Sequence, residues 1–354
     1  MINNEEEVSS SEQENEELYE HHNIICDKGQ ELLRIDKFLM TRIQNLSRNK
    51  VQIALHAGNI TVNKKNVKPN YRVKPGDIIS VIFSHPPKVA ELICENIPLD
   101  IIYEDDDLLV INKAAGMVVH PAYGHYKGTL VNAVAYHLHP HMEGKVIMVD
   151  ETLRPGLVHR IDKNTSGLMV LSKNDNAMAH LVAQFYNRTI QRHYWALVWG
   201  DVKQNEGTVT GHIGRNIANR KVMDVFADGS HGKHAVTHYT VLKRFTYTTL
   251  IQCKLETGRT HQIRVHMKHI GHPIFGDFEY GGDKILKGNT SGSYMSFIQK
   301  QLAIMPYQAL HARSLGFMHP VTKKEIYFET NPPSNYKQLI ESWENYSSNT
   351  LKNK

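Results

Sequence analysis

In the stretch GLVHRIDKNTSGLMVLSKN, residues 156–174, a cation, a carboxylate and two hydroxyls stand close together as Arg160, Asp162, Thr165 and Ser166. Apolar runs on both sides read as strands, which leaves the polar set on the turn between them. An aspartate is ionised at neutral pH, so Asp162 can serve as a nucleophile or as a base. The segment holds no second acid. Glycoside hydrolysis needs two carboxylates, whereas covalent or elimination chemistry at one sugar carbon needs one. Taken alone, a carboxylate in such a turn is more often a cap or turn former. A serine hydrolase using Ser166 would want a GxSxG elbow, and NTSGL is not one.

Three further segments change the weight of Asp162. NRTIQRHYWALVWG, residues 187–200, sets Tyr194 in a strand-like run behind Arg188 and Arg192. An aromatic ring beside cations suits an unstacked base, although a strand tyrosine is ordinarily core. LETGRTHQIRVHMKHIGHPIFGDFEYG, residues 255–281, sets Arg259, His261 and Arg264 in close register after Gly258. Arg264 is the natural ionic partner for a buried carboxylate. NKAAGMVVHPA, residues 112–122, adds Lys113 and His120. His261, His266, His269 and His272 crowd one segment, but no third ligand follows at a zinc spacing, so no metal is expected. RNIANRKVM, residues 215–223, carries Arg220 and Lys221 and reads as a phosphate-contacting stretch.

The elements that must position these groups fill a chain of 354 residues, enough for two or three domains. With 41% hydrophobic and 22% charged residues it reads as globular, and no apolar run reaches bilayer length. The N-terminus lacks a basic-then-apolar signal pattern, so a cytoplasmic protein is expected. Cys26, Cys94 and Cys253 form no CxxC pair, which argues against a disulfide framework or a thiolate zinc site. Residues 1–22 hold eight glutamates and no Lys, Arg or Asp. The rest therefore carries 41 basic against 28 acidic side chains, a charge of +13. Such a body suggests a polyanion partner. Residues 1–30 read as an acidic, disordered tail.

Between residues 31 and 83 the pattern is ααβ. Ile35, Phe38, Leu39 and Ile43 mark one helix face, and Ser47 fits the N-cap of a second helix through Val51, Ala54 and Leu55 that Gly58 stops. Short β-type runs follow at residues 60–62 and 78–83, with turns at Asn63-Lys64 and Pro75-Gly76. Residues 84–97 read as a linker with a proline pair. Residues 98–334 form the larger unit, with strands at Leu108 to Ile111 and Met117 to Val119 and a helix at Ala177 to Phe185. Residues 335–354 form a helix near Tyr336 to Trp343 and a polar end. The class is α+β, since no regular βαβ repeat is present. No heptad or apolar stripe signals an oligomer, so a monomer is expected.

Residues 34–81 resemble the RNA-binding module named after ribosomal protein S4. Arg34, Lys37, Ser47, Arg48, Lys50, Gly58 and Val62-Asn63 stand where that module's basic face and turns fall. Arg48 and Lys50 would lie in the first turn of the second helix, where backbone N–H groups also favour phosphate.

From about Pro98 to Pro333 the chain resembles the RluA-type family of pseudouridine synthases. GLVHRIDKNTSGLMVLSK is similar to the family's HRLDxxTSG signature, with Ile161 for Leu, and LETGRTHQIRVHMKHIGHPIFGD is similar to its third motif. Ala114 replaces the Pro of NKPxG, and Arg192 stands where many members carry Lys. The resemblance implies a catalytic domain on a mixed, largely antiparallel sheet with a central RNA-binding cleft. It implies Asp162 as catalytic carboxylate, Tyr194 as active-site tyrosine and Arg264 as the aspartate's partner. It implies Arg160 as the wedge that fills the stack when uridine is extruded. Lys113, Arg192, Arg220, Lys221, Arg259 and His261 are expected to touch RNA, with Arg34, Lys37, Arg48 and Lys50 of the small module. The isomerisation gains no atoms, so no cofactor is expected.

The module, SHGKHAVTHY (230–239) and QALHA (308–312) look most like the RluD branch, which implies helix 69 of large-subunit (23S) rRNA, met in a pre-ribosomal particle. An RluC-like target on the same rRNA, or a tRNA, is the alternative substrate. A non-catalytic rRNA-binding assembly factor is the alternative of another class.

Overall fold

The computed structural model describes residues 19–27, 29–43, 48–83, 89–121, 127–150, 156–219, 222–289 and 291–352. It divides into two compact units, Met1–Ala90 with Met148–Leu153, and Glu91–Ile147 with Arg154–Lys354.

In the smaller unit the helical face read from the sequence becomes α1 (Ile35–Arg42), with Ile35, Phe38 and Leu39 buried. α2 (Arg48–His56) follows, and Gly58 ends it at φ 76°. Ser47, the expected N-cap, lies outside the described residues. β1 (Tyr19–Ile25), β2 (Ile60–Val62), β3 (Lys65–Asn66) and β4 (Ile78–Phe83) form an antiparallel sheet in the order β1-β4-β2-β3. Asn63 and Lys64, both at positive φ, make the turn between β2 and β3. Val51, Ala54, Leu55, Ile60, Val62, Ile79 and Val81 close the core over the α1 face.

Two expectations need correcting. β1 lies inside the stretch read as a disordered tail. Its side chains give little apolar signal because Ile24 packs on the core while Asn23 and Ile25 face outward, and the strand is held by its ladder to β4. Likewise β5 (Val89–Ile93) lies inside the supposed linker and pairs β8 (Val146–Asp150) in a two-stranded sheet. The proline pair of the linker lies outside the described residues.

The larger unit is built on a ten-stranded sheet. Its strands are β6 (Ile101–Glu104), β7 (Leu108–Lys113), β9 (Ser166–Ser172), β10 (Gln191–Trp199), β11 (Glu206–Arg215), β12 (Met223–Phe226), β13 (Lys233–Arg244), β14 (Thr248–Leu255), β15 (Leu310–Met318) and β16 (Glu325–Glu329). The order is β12-β11-β13-β14-β10-β15-β9-β7-β6, with β16 on β15. The β9–β15 pair is parallel and its neighbours are antiparallel. β9 is buried along its whole length, as expected of a central strand covered on both faces. Leu168 and Val170 of β9 pack with Leu108 and Val110 of β7, Leu315 and Phe317 of β15, and Ala177 and Leu181 of α4 (Asp175–Asn187). Asn174 caps α4 by accepting from the Ala177 N–H.

α3 (Leu130–Leu138), α5 (Gln262–His269), α6 (Gly292–Ile304) and α7 (Ser334–Lys352) complete the unit. Residues 117–119, read as a strand, are irregular instead. Their carbonyls serve other donors: Met117 accepts from Lys113, and Val118 and Val119 accept from Leu130 and Val131 at the start of α3. α7 is longer than expected, and it buries Tyr336, Leu339 and Trp343 at helical spacing. Trp343 meets Phe297, Phe275 and Trp199 edge-on.

Candidate active site

Asp162 lies on the turn ahead of β9, where the Thr165 N–H donates to the Asp162 carbonyl at 3.1 Å. Its side chain is 22% exposed, so the carboxylate is anchored yet reachable. Arg264, the third residue of α5, reaches it: Nη1 donates to Asp162 Oδ2 at 3.1 Å. The helix turns Val265 into a core with Ile213, Ala235 and Tyr280, which fixes where Arg264 emerges.

The arginine is filled from three sides. Nε and Nη2 make a two-point bond to Asp277 at 2.7 and 2.8 Å, and Nη2 also donates to Glu279. Tyr280 lies under the guanidinium, with its ring centre 5.0 Å from Cζ. Burial pushes the Arg264 pKa down, but the Asp277, Asp162 and Glu279 carboxylates outweigh it and hold the group a permanent cation. The sequence reading found Arg264 and missed Asp277 and Glu279. Their signal was in HPIFGDFEYG: Gly276, at φ 77°, passes so close to the Met305 and Tyr307 carbonyls that a Cβ would collide with them. That turn carries the two acids back under α5.

His261 stands at the same place. Its Nε2 is 4.0 Å from Asp162 Oδ1, and its Nδ1 bonds the Tyr280 hydroxyl at 2.8 Å. Burial lowers its pKa, with Asp162 opposing and Arg264 reinforcing that shift. Tyr194 sits in mid-β10, 7% exposed. Burial raises its phenol pKa; Arg192 opposes and the Asp162 charge adds to the rise. The structure thus brings Asp162, Tyr194, Arg264 and His261 into one neighbourhood.

Lys113 departs from its expected role as an RNA contact. It is 2% exposed, and its Nζ donates to the Ala114, Met117 and Lys163 carbonyls at 2.7, 2.9 and 2.9 Å. Burial pulls its pKa down to about 7, while Asp162 pulls upward. Three carbonyls need three hydrogens, which an ammonium has and a neutral amine lacks. The geometry therefore selects the cation, and Lys113 ties the β7 turn to the residue after Asp162.

The other expected RNA contacts differ in exposure and in partners. Arg160 is exposed beside Asp162. Arg192 lies over the Phe185 ring at 5.3 Å, its Nε has no partner among the described residues, and Gly258 leaves room beside its Nη1. Arg259 donates to the His234 carbonyl at 3.1 Å. Arg220 and Lys221 lie outside the described residues. In the smaller unit Arg34 and Arg48 both bond Asp36, a buried carboxylate at the start of α1, and Lys37 is exposed; Lys50 lies in α2. Burial raises the Asp36 pKa, yet bonds from Arg34, the Lys37 N–H and Arg48 lower it further than burial raises it.

Among the described residues one group, Asp105, Asp107 and His319, has the spacing of a metal set. Its hydrogen bonds account for it without an ion. His319 Nδ1 accepts from the Val321 and Thr322 N–H groups, so Nε2 carries the proton given to Asp105. His266 is buried on Thr237 while His269 faces out, so they share no ligand-bearing face. No helix among the described residues is long and apolar enough to cross a membrane.

Comparison with known proteins is consistent along the chain. The family described as RNA pseudouridylate synthase matches residues 107–269, and the S4 domain matches residues 33–79. The chain is 46% identical to an uncharacterized RNA pseudouridine synthase of Chlorobaculum parvum, over 89% of this chain and 95% of that one. It is 41% identical to ribosomal large subunit pseudouridine synthase D of Zymomonas mobilis, over 87% and 92% of the two. Among solved structures, human RNA pseudouridylate synthase domain containing 4 matches with a TM-score of 0.53 at 25% identity, covering 69% of this chain and 93% of that one.

Proposed function

The chain belongs to the RNA pseudouridylate synthase family, and we propose that it isomerises uridines of large-subunit ribosomal RNA, at helix 69, with Asp162 as the catalytic carboxylate. In the reaction the N1–C1′ bond of uridine breaks, the uracil turns, C5 bonds to C1′ and loses its hydrogen as a proton, and N1 takes up a proton. Atoms are conserved, so no redox or group-carrying cofactor is called for. The uridine must first leave its stack, at a cost of a few kcal/mol.

The observation that carries this reading is the ion pair of Asp162 with Arg264, 3.1 Å apart. Arg264 holds the carboxylate aimed, whether Asp162 attacks C1′ or takes a ribose proton. Tyr194 offers a ring to the extruded uracil, and exposed Arg160 fills the vacated stack. Arg192, without an ion-pair partner among the described residues, and Arg259 take phosphates at the rim. Arg34, Lys37, Arg48 and Lys50 grip RNA from the smaller unit. Arg220 and Lys221 join them, on the sequence reading alone. The enzyme acts as a monomer in the cytoplasm on a pre-ribosomal particle. Support for the rRNA target comes from the name of the Zymomonas relative.

The test maps pseudouridine in rRNA and tRNA by carbodiimide-dependent primer extension, in cells with the wild-type protein, Asp162→Ala or none. The expected result is loss of helix 69 stops in both defective strains. Loss elsewhere in rRNA or in tRNA would reassign the substrate. Stops that need the protein but not the Asp162 side chain would favour a binding factor.

A further inference from the structure

The ten-stranded sheet has a seam. In strand pairing among the described residues its β6-β7-β9 half joins the β10–β16 half through β9 and β15, and that ladder is two residues long: Ser166 opposite His311 and Gly167 opposite Ala312. Elsewhere the ladders are longer: β7 and β9 share six positions and β10 and β14 seven. The proposed catalytic groups fall on opposite sides of this seam. Lys113 and the Asp162 turn belong to the first half, Tyr194 and Arg264 to the second.

One rung of the sheet crosses the seam directly: Lys113 on β7, Gly167 on β9, Ala312 on β15 and Tyr194 on β10. The two residues in its middle are the smallest available. Gly167 has φ 116° and a Cβ there would collide with the Ala312 backbone, so the halves approach this closely only over glycine.

The adjacent rung carries a side-chain bond. Ser166 Oγ lies 2.9 Å from His311 Nδ1, and both residues are buried. His311 Nε2 lies 3.1 Å from the Thr330 carbonyl, which can only accept. Nε2 therefore carries the proton, Nδ1 presents its lone pair, and the Ser166 hydroxyl donates to it. Burial lowers the His311 pKa to about 4, which keeps this neutral tautomer at working pH. A second contact runs parallel: Gln308 Nε2 lies 3.3 Å from Thr165 Oγ1. Gln308 and His311 are the polar members of QALHA, and Thr165 and Ser166 are the hydroxyls that follow Asp162.

We propose that Ser166 and His311, supported by Thr165 and Gln308, form a clasp that sets the register of the two sheet halves, so that His311 is a positioning residue for the Asp162–Arg264 pair. The clasp touches no substrate. Both groups are interior, so the serine–histidine pair is not a hydrolytic dyad. The inference rests on Asp162 being the catalytic carboxylate.

The test measures single-turnover release of tritium from an RNA oligonucleotide carrying 5-tritiated uridine at the mapped site, with RNA affinity and thermal midpoint measured on the same proteins. Ser166→Ala should lower the rate on the order of 100-fold, the cost of a displacement near 1 Å, with RNA affinity unchanged and the protein folded at assay temperature. His311→Asn keeps an acceptor where Nδ1 stands and should retain most of the rate. Ser166→Ala combined with His311→Leu should be no slower than His311→Leu alone, since one bond is lost only once. Wild-type rate in Ser166→Ala, equal loss of rate and affinity, or additive losses in the double variant would overturn the clasp. Asp162→Asn is run alongside: if it turns over normally, the catalytic assignment itself fails and the clasp falls with it.

Discussion

In each unit a buried charge gathers opposite charges around it, and the two are opposite in sign: Asp36 in the smaller unit, Arg264 in the larger. In the smaller unit the buried group is a carboxylate, Asp36, fully covered, and it holds Arg34 and Arg48, whose side chains are 37% and 55% exposed. In the larger unit the buried group is a guanidinium, Arg264, 3% exposed, and it holds Asp277, Glu279 and Asp162. A buried charge decides which charge is shown to solvent. The carboxylate presents cations, which suit a polyanion. The guanidinium presents a carboxylate, which suits chemistry at a sugar carbon. Loss of the buried member should therefore disturb binding in one unit and catalysis in the other.

The largest stability effect should come from Arg264→Met. It leaves Asp277, fully buried, without its cation, and removing one partner of such a set costs about 3–5 kcal/mol. A chemical melt should register that loss, and isomerisation should be abolished in whatever folded protein remains. A melt unchanged from wild type would mean that Asp277 finds another donor.

A smaller effect on catalysis, of a different kind, is expected from Arg34→Ala combined with Arg48→Ala, which also strips covered Asp36 of both cations and so lowers the melting midpoint. RNA affinity should fall and the slope of log affinity against log salt should flatten by roughly one unit per arginine. The rate at saturating RNA should stay the same. An unaltered salt slope would mean that these arginines serve only to pair Asp36.

Much of the candidate site could be read from the sequence. Asp162, Tyr194 and Arg264 come from three distant segments; alone, the first two read as an ordinary turn former and a core ring, and the resemblance of their motifs to one family joined the three. Other parts were hidden for definable reasons. Lys113 looks like a surface cation because charge predicts exposure, and nothing local reveals three carbonyls converging on its Nζ. Asp277 and Glu279 lie 13 and 15 positions after Arg264, and only the turn at Gly276 returns them to it. Asp36 reads as an ordinary acid in the first turn of a helix. β1 escaped notice because one side of a polar strand meets the core, and β5 because its pairing partner lies more than 50 residues away. The seam was out of reach too: parallel pairing between Ser166 and His311 spans 145 positions, and no local pattern encodes register at that distance.

The central claim is that chemistry resides in the carboxylate displayed by Arg264 and that RNA binding resides elsewhere. Asp162→Asn tests it most directly, because it removes the charge and keeps the shape. The measurement pairs single-turnover isomerisation with RNA affinity on one preparation. The account predicts a rate lowered by at least about 10⁴-fold, on the scale of losing a catalytic nucleophile, with RNA affinity retained. Turnover near the wild-type rate, or a loss that follows weakened RNA binding and disappears at saturating RNA, would contradict it.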